Sequence, residues 1–209
     1  MKTQYFDGSG IPAAAEIIRA GGLVAVPTET VYGLAADAQN EEAVKKIFAV
    51  KNRPEEKRIN LLVPGIDAVC DVCANIPESA YILAKNFWPG PLTMILLRNE
   101  NVPDIVTDGG ETVGVRCPAH PVTLELLNIL KRPLAAPSAN ITGQKSPVTA
   151  DEVKAYFNGK IEAIIDGGRC TVGVESTILD LTVFPPKILR QGGLAKEKID
   201  KALGIEVMV

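Results

Sequence analysis

The sequence has one histidine, one tryptophan and four cysteines, too few for most metal centres, stacking platforms or disulfide frameworks. A Ser-His-Asp relay would have to run through His120, and Pro118-Ala119-His120-Pro121 reads as the start of a helix. Cys70 and Cys73 form a single C-x-x-C, with Cys117 and Cys170 far away. Zinc would want a second pair or histidines at ligand spacing. Because Ile66 to Cys73 reads as a short amphipathic helix, the cysteines are read as packing residues, and no side chain is assigned to a metal. Aromatics are 5% of the chain and the formal net charge is −3, which argues against a generic nucleic-acid coat but leaves room for a local basic pocket. No run approaches the ~20 apolar residues of a membrane span, and Met1 to Gly10 lacks a cationic stretch followed by an apolar one. A soluble cytoplasmic protein with no membrane contact is expected. Walker A, G-x-G-x-x-G and G-x-S-x-G motifs are absent as well.

The 209 residues that remain are 46% hydrophobic and 22% charged, enough to bury a core without a metal or disulfide staple. No repeat or linker-like tract divides them. One domain over residues 1–209 is expected, with its core at about 10–195. Pro12 to Ala20 reads as a helix stopped by Gly21, and Leu23 to Val26 as a strand buried on both faces. Asn40 caps a helix whose apolar face is Ala43, Val44, Ile47, Phe48 and Val50. Further strands are predicted at Ile59–Val63, Leu92–Arg98, Val113–Cys117, Leu134–Ala136, Ala163–Ile165, Glu175–Leu181 and Lys187–Arg190. Helices are predicted at Pro77–Phe87, Pro121–Leu130, from the Thr149/Glu152 capping box to Phe157, and at Lys196–Leu203. This interleaving implies an α/β fold with a mixed sheet.

The chain is organised around Leu23–Arg58. A strand runs into the hydroxyl-rich turn Pro27-Thr28-Glu29-Thr30, and a helix ends in the cations Lys51, Arg53, Lys57 and Arg58. Two more apolar stretches end in small polar turns, Pro137-Ser138-Ala139-Asn140 and Glu175-Ser176-Thr177. Ligands of open α/β sheets sit beyond strand ends, and hydroxyls there can bind carboxylate, ammonium or phosphate. Each turn alone is explained by Ser and Thr satisfying backbone groups. With Glu55 and Glu56 among them, the loop cations alone could be a solvated ion-pair cluster. Three turns together with the cations favour a site. Arg116 and Arg190 lie in apolar strand contexts and need an anion or a carboxylate partner.

The sequence resembles the YrdC-type threonylcarbamoyl-AMP synthases. The motifs are Pro27 to Leu34, Lys51-Asn52-Arg53-Pro54, Gly114 to Pro118, Ala136 to Asn140, Ser146-Pro147, Glu175 to Ile178 and Ile188 to Gly192, in an order and spacing that are specific together. The resemblance implies a twisted, open, mixed parallel/antiparallel sheet with flanking helices around a deep, positively lined cavity. It implies a nucleotidyltransferase that makes threonylcarbamoyl-AMP and pyrophosphate from L-threonine, bicarbonate and ATP with Mg²⁺. That intermediate feeds threonylcarbamoyladenosine formation at tRNA position 37 by a tRNA-threonylcarbamoyl transferase machinery, and weak tRNA contact is a further expectation. Carried over by position, Thr30, Arg116, Ser138 and Ser176 would hold threonine. Lys51, Arg53, Lys57, Thr112, Asn140, Ser146 and Arg190 would surround the nucleotide, with Lys51 and Arg53 as catalytic residues. The chain departs from the family at Leu62, where many members carry a histidine that contacts threonine, at Arg58, where proline is common, and at Val148, where threonine is frequent. Longer relatives carry a second C-terminal domain, which is not expected in a chain ending at Val209. The bottom-up chemistry agrees: an anionic carbamate must attack an anionic α-phosphate, so cations must offset the repulsion. Glu29 is read as orienting its turn rather than as a general base. The alternatives are a structured-RNA-binding module and a carbamoyl-adenylate-forming domain.

Overall fold

The computed structural model describes residues 2–54 and 56–209, so Glu55 lies outside the described residues. Among them, ten strands form one mixed sheet in the order β1-β8-β2-β3-β7-β4-β6-β5-β9-β10. The strands are β1 Gln4–Phe6, β2 Val24–Val26, β3 Gly33–Asp37, β4 Leu61–Leu62, β5 Leu92–Leu97, β6 Thr112–Arg116, β7 Leu134–Ala135, β8 Ala163–Ile165, β9 Thr177–Asp180 and β10 Lys187–Arg190. The helices are α1 Ile11–Arg19, α2 Glu41–Lys51, α3 Glu78–Phe87, α4 Asp104–Thr107, α5 Pro121–Leu130, α6 Ala150–Phe157 and α7 Lys196–Leu203. Parallel ladders join β1 to β8, β2 to β8, β4 to β6 and β5 to β9; the others are antiparallel.

Four elements differ from expectation. β3 was not predicted as a strand, because Gly33-Leu34-Ala35-Ala36-Asp37 lacks the branched residues that mark one. It sits mid-sheet between β2 and β7, where small side chains allow close packing. The three-residue β1 at the sheet edge and the single-turn α4 carry too few residues to show a period. Ile66–Asp71 forms a 3-10 turn in place of an amphipathic helix.

The strands sort their side chains by the two-residue period. Val24, Val26, Ala35, Leu62, Leu134, Ala163 and Ile165 face one side and pack under α1 and α5, through Ile11, Ala14, Ile18, Leu126 and Leu127. Leu23, Ala25, Leu34, Ala36, Leu61 and Ile164 face the other, beneath residues of α2, α3 and α6. Both faces are therefore apolar, which is why β2 and β8 read as unbroken apolar runs. The α1–α5 layer lies over the β2, β3, β7 and β8 half of its face. Leu62 of β4 lies at its edge, and beyond it Arg116 of β6 and Thr93 of β5 face the cavity instead.

Candidate active site

The floor of the cavity consists of sheet residues at and beyond the edge of the α1–α5 layer. Asn60 and Leu62 come from β4 and the residue before it, Arg116 from β6, and Thr93 from β5. Leu62 pairs with Arg116 in the parallel ladder, so their side chains stand side by side. Gly114, the next inward position on β6, has no room for a side chain: a Cβ there would stand 2.2 Å from Asn60 Oδ1. The walls are Thr28, Thr30 to Gly33, Arg53 and Arg58, Ala136 to Ser138, Glu175 and Ser176, and Arg190. Four arginines and one carboxylate residue thus line the space.

At the centre is a buried network on Arg116. Its Nη2 pairs with Glu29 Oε1 at 2.7 Å, with both side chains less than a tenth exposed. Its Nη1 donates to Thr30 Oγ1 at 2.9 Å and its Nε to the Gly90 carbonyl at 3.1 Å. Glu29 Oε2 accepts from the Ala119 N–H at 3.0 Å. Glu29 is therefore the carboxylate partner that a strand arginine required, and it ties the β2–β3 turn to β6. Thr28 Oγ1 donates to the Val31 carbonyl at 2.6 Å and contacts Thr30 Oγ1 at 2.9 Å, so the turn is braced from within.

A second network holds the far wall. Arg190 donates through Nε and Nη2 to the Ser176 carbonyl, at 3.1 and 2.8 Å, and more weakly to Ser176 Oγ at 3.3 Å. Ser176 Oγ lies 2.8 Å from Thr93 Oγ1. Gly192 passes so close that a Cβ would stand 2.3 Å from the Glu175 carbonyl oxygen. Ser146 donates to Glu175 Oε1 at 2.6 Å, and that hydrogen bond is the largest influence holding the Glu175 carboxyl below its ordinary range.

Of the residues expected to hold threonine, Thr30, Arg116, Ser138 and Ser176 all line the cavity. The set expected around the nucleotide divides. Arg53 and Arg190 line it, whereas Lys51, Lys57, Thr112, Asn140 and Ser146 do not. Lys51 is 1% exposed, and its Nζ donates to the Ser138 and Asn140 carbonyls from behind the wall. Burial, with the charge of Arg53 added, pushes its ammonium down to about 7. Asn140 accepts from Ser138 Oγ at 2.5 Å and donates to the Gln144 carbonyl at 2.6 Å, so it shapes the same wall. Thr112 is reached through Arg58, whose Nη1 donates to its hydroxyl at 2.9 Å. The side chain of Lys57 is exposed, while its carbonyl accepts from Arg53 Nε at 3.1 Å.

Reading the sequence missed Thr93, Asn60 and Glu175 as lining residues. Thr93 had a signal: it is the polar position between Leu92, Met94 and Leu96, which point into the opposite core. His120 is at the N-cap of α5 without a capping hydrogen bond; burial lowers its affinity for a proton, and it is no lining residue. Cys73 is buried with its thiol pushed up to about 12 by burial, and Cys70 is exposed and free. Among the described residues no three His, Cys, Asp or Glu side chains cluster as metal ligands, and no helix is long and apolar enough to cross a membrane.

Comparison with known proteins places this geometry among relatives. A family model named for Sua5, YciO and YrdC and described as "Telomere recombination" matches residues 16–192. Threonylcarbamoyl-AMP synthase of Pyrococcus abyssi is 52% identical over 194 residues, covering 93% of this chain and 57% of that protein. Threonylcarbamoyl-AMP synthase of Bacillus subtilis is 44% identical over 195 residues, covering 93% of this chain and 56% of that protein. A crystal structure of P. abyssi Sua5 complexed with L-threonine superposes with a TM-score of 0.96 at 47% identity, over 99% of this chain and 63% of that one. The chain thus spans little more than half the length of these relatives.

Proposed function

The chain belongs to the Sua5/YciO/YrdC family, and on that premise we propose that its cavity forms threonylcarbamoyl-AMP and pyrophosphate from L-threonine, bicarbonate and ATP. The observation that carries this reading is the convergence of Arg53, Arg58, Arg116 and Arg190 with the hydroxyls of Thr30, Thr93, Ser138 and Ser176 on one cavity. Such a site suits a small polar ligand joined to an anionic one.

In the reaction, bicarbonate takes up a proton and loses water to give carbon dioxide; the threonine amine bonds to its carbon and loses a proton, giving a carbamate. A carbamate oxygen attacks the α-phosphorus of ATP, the bond from that phosphorus to the bridging oxygen breaks, and pyrophosphate leaves. Arg116 holds the amino-acid carboxylate, with Thr30, Ser138 and Ser176 beside it. Arg53, Arg58 and Arg190, which line the same cavity, would reduce the repulsion between carbamate and triphosphate. Removal of one such donor typically costs ~3–4 kcal/mol of transition-state stabilisation. Lys51 acts through the 138–140 wall rather than on the ligand.

Mg²⁺ is proposed as the companion of ATP. Among the described lining residues Glu175 is the one carboxylate, and it already accepts from Ser146. Triphosphate oxygens and waters would then supply most of a magnesium shell, as is usual at nucleotide sites. When bound, the ion would neutralise charge on the leaving pyrophosphate. We assign the product to tRNA modification in the cytoplasm, through a separate transferase. Direct tRNA contact stays part of the proposal.

The test is pyrophosphate release from ATP, with and without threonine and bicarbonate. Release that requires both is expected. Release indifferent to threonine overturns the substrate assignment, and tight tRNA binding without turnover favours an RNA-binding module.

A further inference from the structure

The row of side chains across the cavity floor has an asymmetry that bears on amino-acid choice. β6 lies between β4 and β5. On one side of Arg116 stands Leu62, its partner in the parallel ladder. On the other stands Thr93, one position beyond the Met94–Val115 pair of the antiparallel ladder. All three line the cavity. Leu62 is 4% exposed and anchored in the apolar cluster with Val26 and Leu134, so it is a fixed aliphatic wall. Thr93 is 1% exposed, and the one hydrogen-bond partner its hydroxyl has among the described residues is Ser176 Oγ. Ser176 Oγ accepts from Arg190 Nη2. It can therefore donate its own proton to Thr93, which frees the Thr93 hydroxyl to donate to a ligand.

Resting on the function proposed above, we propose that Leu62 and Thr93 set side-chain specificity by reading the two substituents of a β-carbon, a methyl at Leu62 and a hydroxyl at Thr93. Adjacent strands lie about 4.8 Å apart, so the backbones at Leu62 and Thr93 are separated by roughly 10 Å across Arg116. With the carboxylate on Arg116, that span holds one branched carbon between an aliphatic contact of about 4 Å and a hydrogen bond of about 2.8 Å. Serine leaves the Leu62 side empty. Valine leaves the Thr93 hydroxyl unpaired. Threonine fills both.

The two halves are separable. One methyl in an apolar pocket is worth about 10- to 200-fold in discrimination. Leu62→Ala is expected to lower the ratio of kcat/KM for threonine over serine by about tenfold, with the threonine-over-valine ratio unchanged, since threonine and valine both lose the methyl contact. Thr93→Val keeps the shape and removes the hydroxyl. It is expected to lower threonine over valine by at least about tenfold, with threonine over serine unchanged. Ratios taken on one preparation do not depend on the fraction folded, and Leu62→Val provides a smaller truncation. Calorimetric affinities for the three amino acids give the same ratios without turnover. Ratios within twofold of wild type in both variants overturn the inference while threonine-dependent turnover stands. Wild-type release indifferent to threonine overturns the functional reading, and this inference with it.

Discussion

Replacing Glu29 by glutamine should be the most damaging single-atom change in the site, and its size can be worked from the geometry. Glu29 and Arg116 are 6% and 7% exposed and meet at 2.7 Å. Glutamine keeps an oxygen for the Ala119 N–H but removes the charge that Arg116 was folded against. Arginine cannot shed its proton, so the variant buries an uncompensated cation. Breaking a buried pair from one side costs about 3–5 kcal/mol. For a chain of this length each 1 kcal/mol moves Tm by about 2–4 °C, so a fall of roughly 6–20 °C is expected. Scanning calorimetry of wild type, Glu29→Gln, Arg116→Met and the double variant closes a mutant cycle. The double variant should recover most of the loss, because no buried charge remains. A Glu29→Gln protein melting within about 3 °C of wild type would refute the view that this pair is a buried ionic strut.

Arg53→Ala should lower turnover by about a hundredfold in pyrophosphate release, since its guanidinium is a lining group; activity within threefold of wild type would remove it from the site. Lys51→Met should act on the 138–140 wall and on pH dependence together. Lys51 is held near 7 in the folded chain, against an ordinary 10.5. Between those values the unfolded chain carries the extra proton, so stability should rise as pH increases from about 7 to about 10.5, and its cost is fullest below 7. Urea titrations at pH 7, 8, 9 and 10 should show the wild type gaining on Lys51→Met, and parallel curves count against it. Gly192→Ala should cost about 1–3 kcal/mol in the same titration and weaken activity, because the new Cβ meets the Glu175–Ser176 backbone at 2.3–2.5 Å.

The mixed sheet was legible because apolar runs and caps alternate cleanly along the chain. The pairing order was not, since β3 carries no strand signature and its partners lie far apart in sequence. The candidate site was legible as turns and cations. What the motif pattern hid was which cations face inward. Lys51 follows Val44, Ile47 and Phe48 at helical spacing, so the period of α2 places it on the buried stripe. A helix period was thus available to separate it from Arg53, and the charge cluster drew attention from it. Arg116 illustrates the opposite limit. Its context required a carboxylate, but nothing local says that the carboxylate is Glu29, across the sheet.

The cavity at the edge of the α1–α5 layer has a consequence for how the protein would meet its ligands. Its floor side chains sit on amides locked in ladders between strands. Apart from Gly33 of β3 and Arg190 of β10 its walls are loops, with Arg53 and Ser138 fastened chiefly by bonds to carbonyls and to Asn140. Amide protons of the floor should exchange with solvent deuterium only when the whole sheet opens, and those of the walls through small local openings. A bound ligand therefore has little left to order beneath it. The entropy of capture falls on the walls, and that is where protection from exchange would grow.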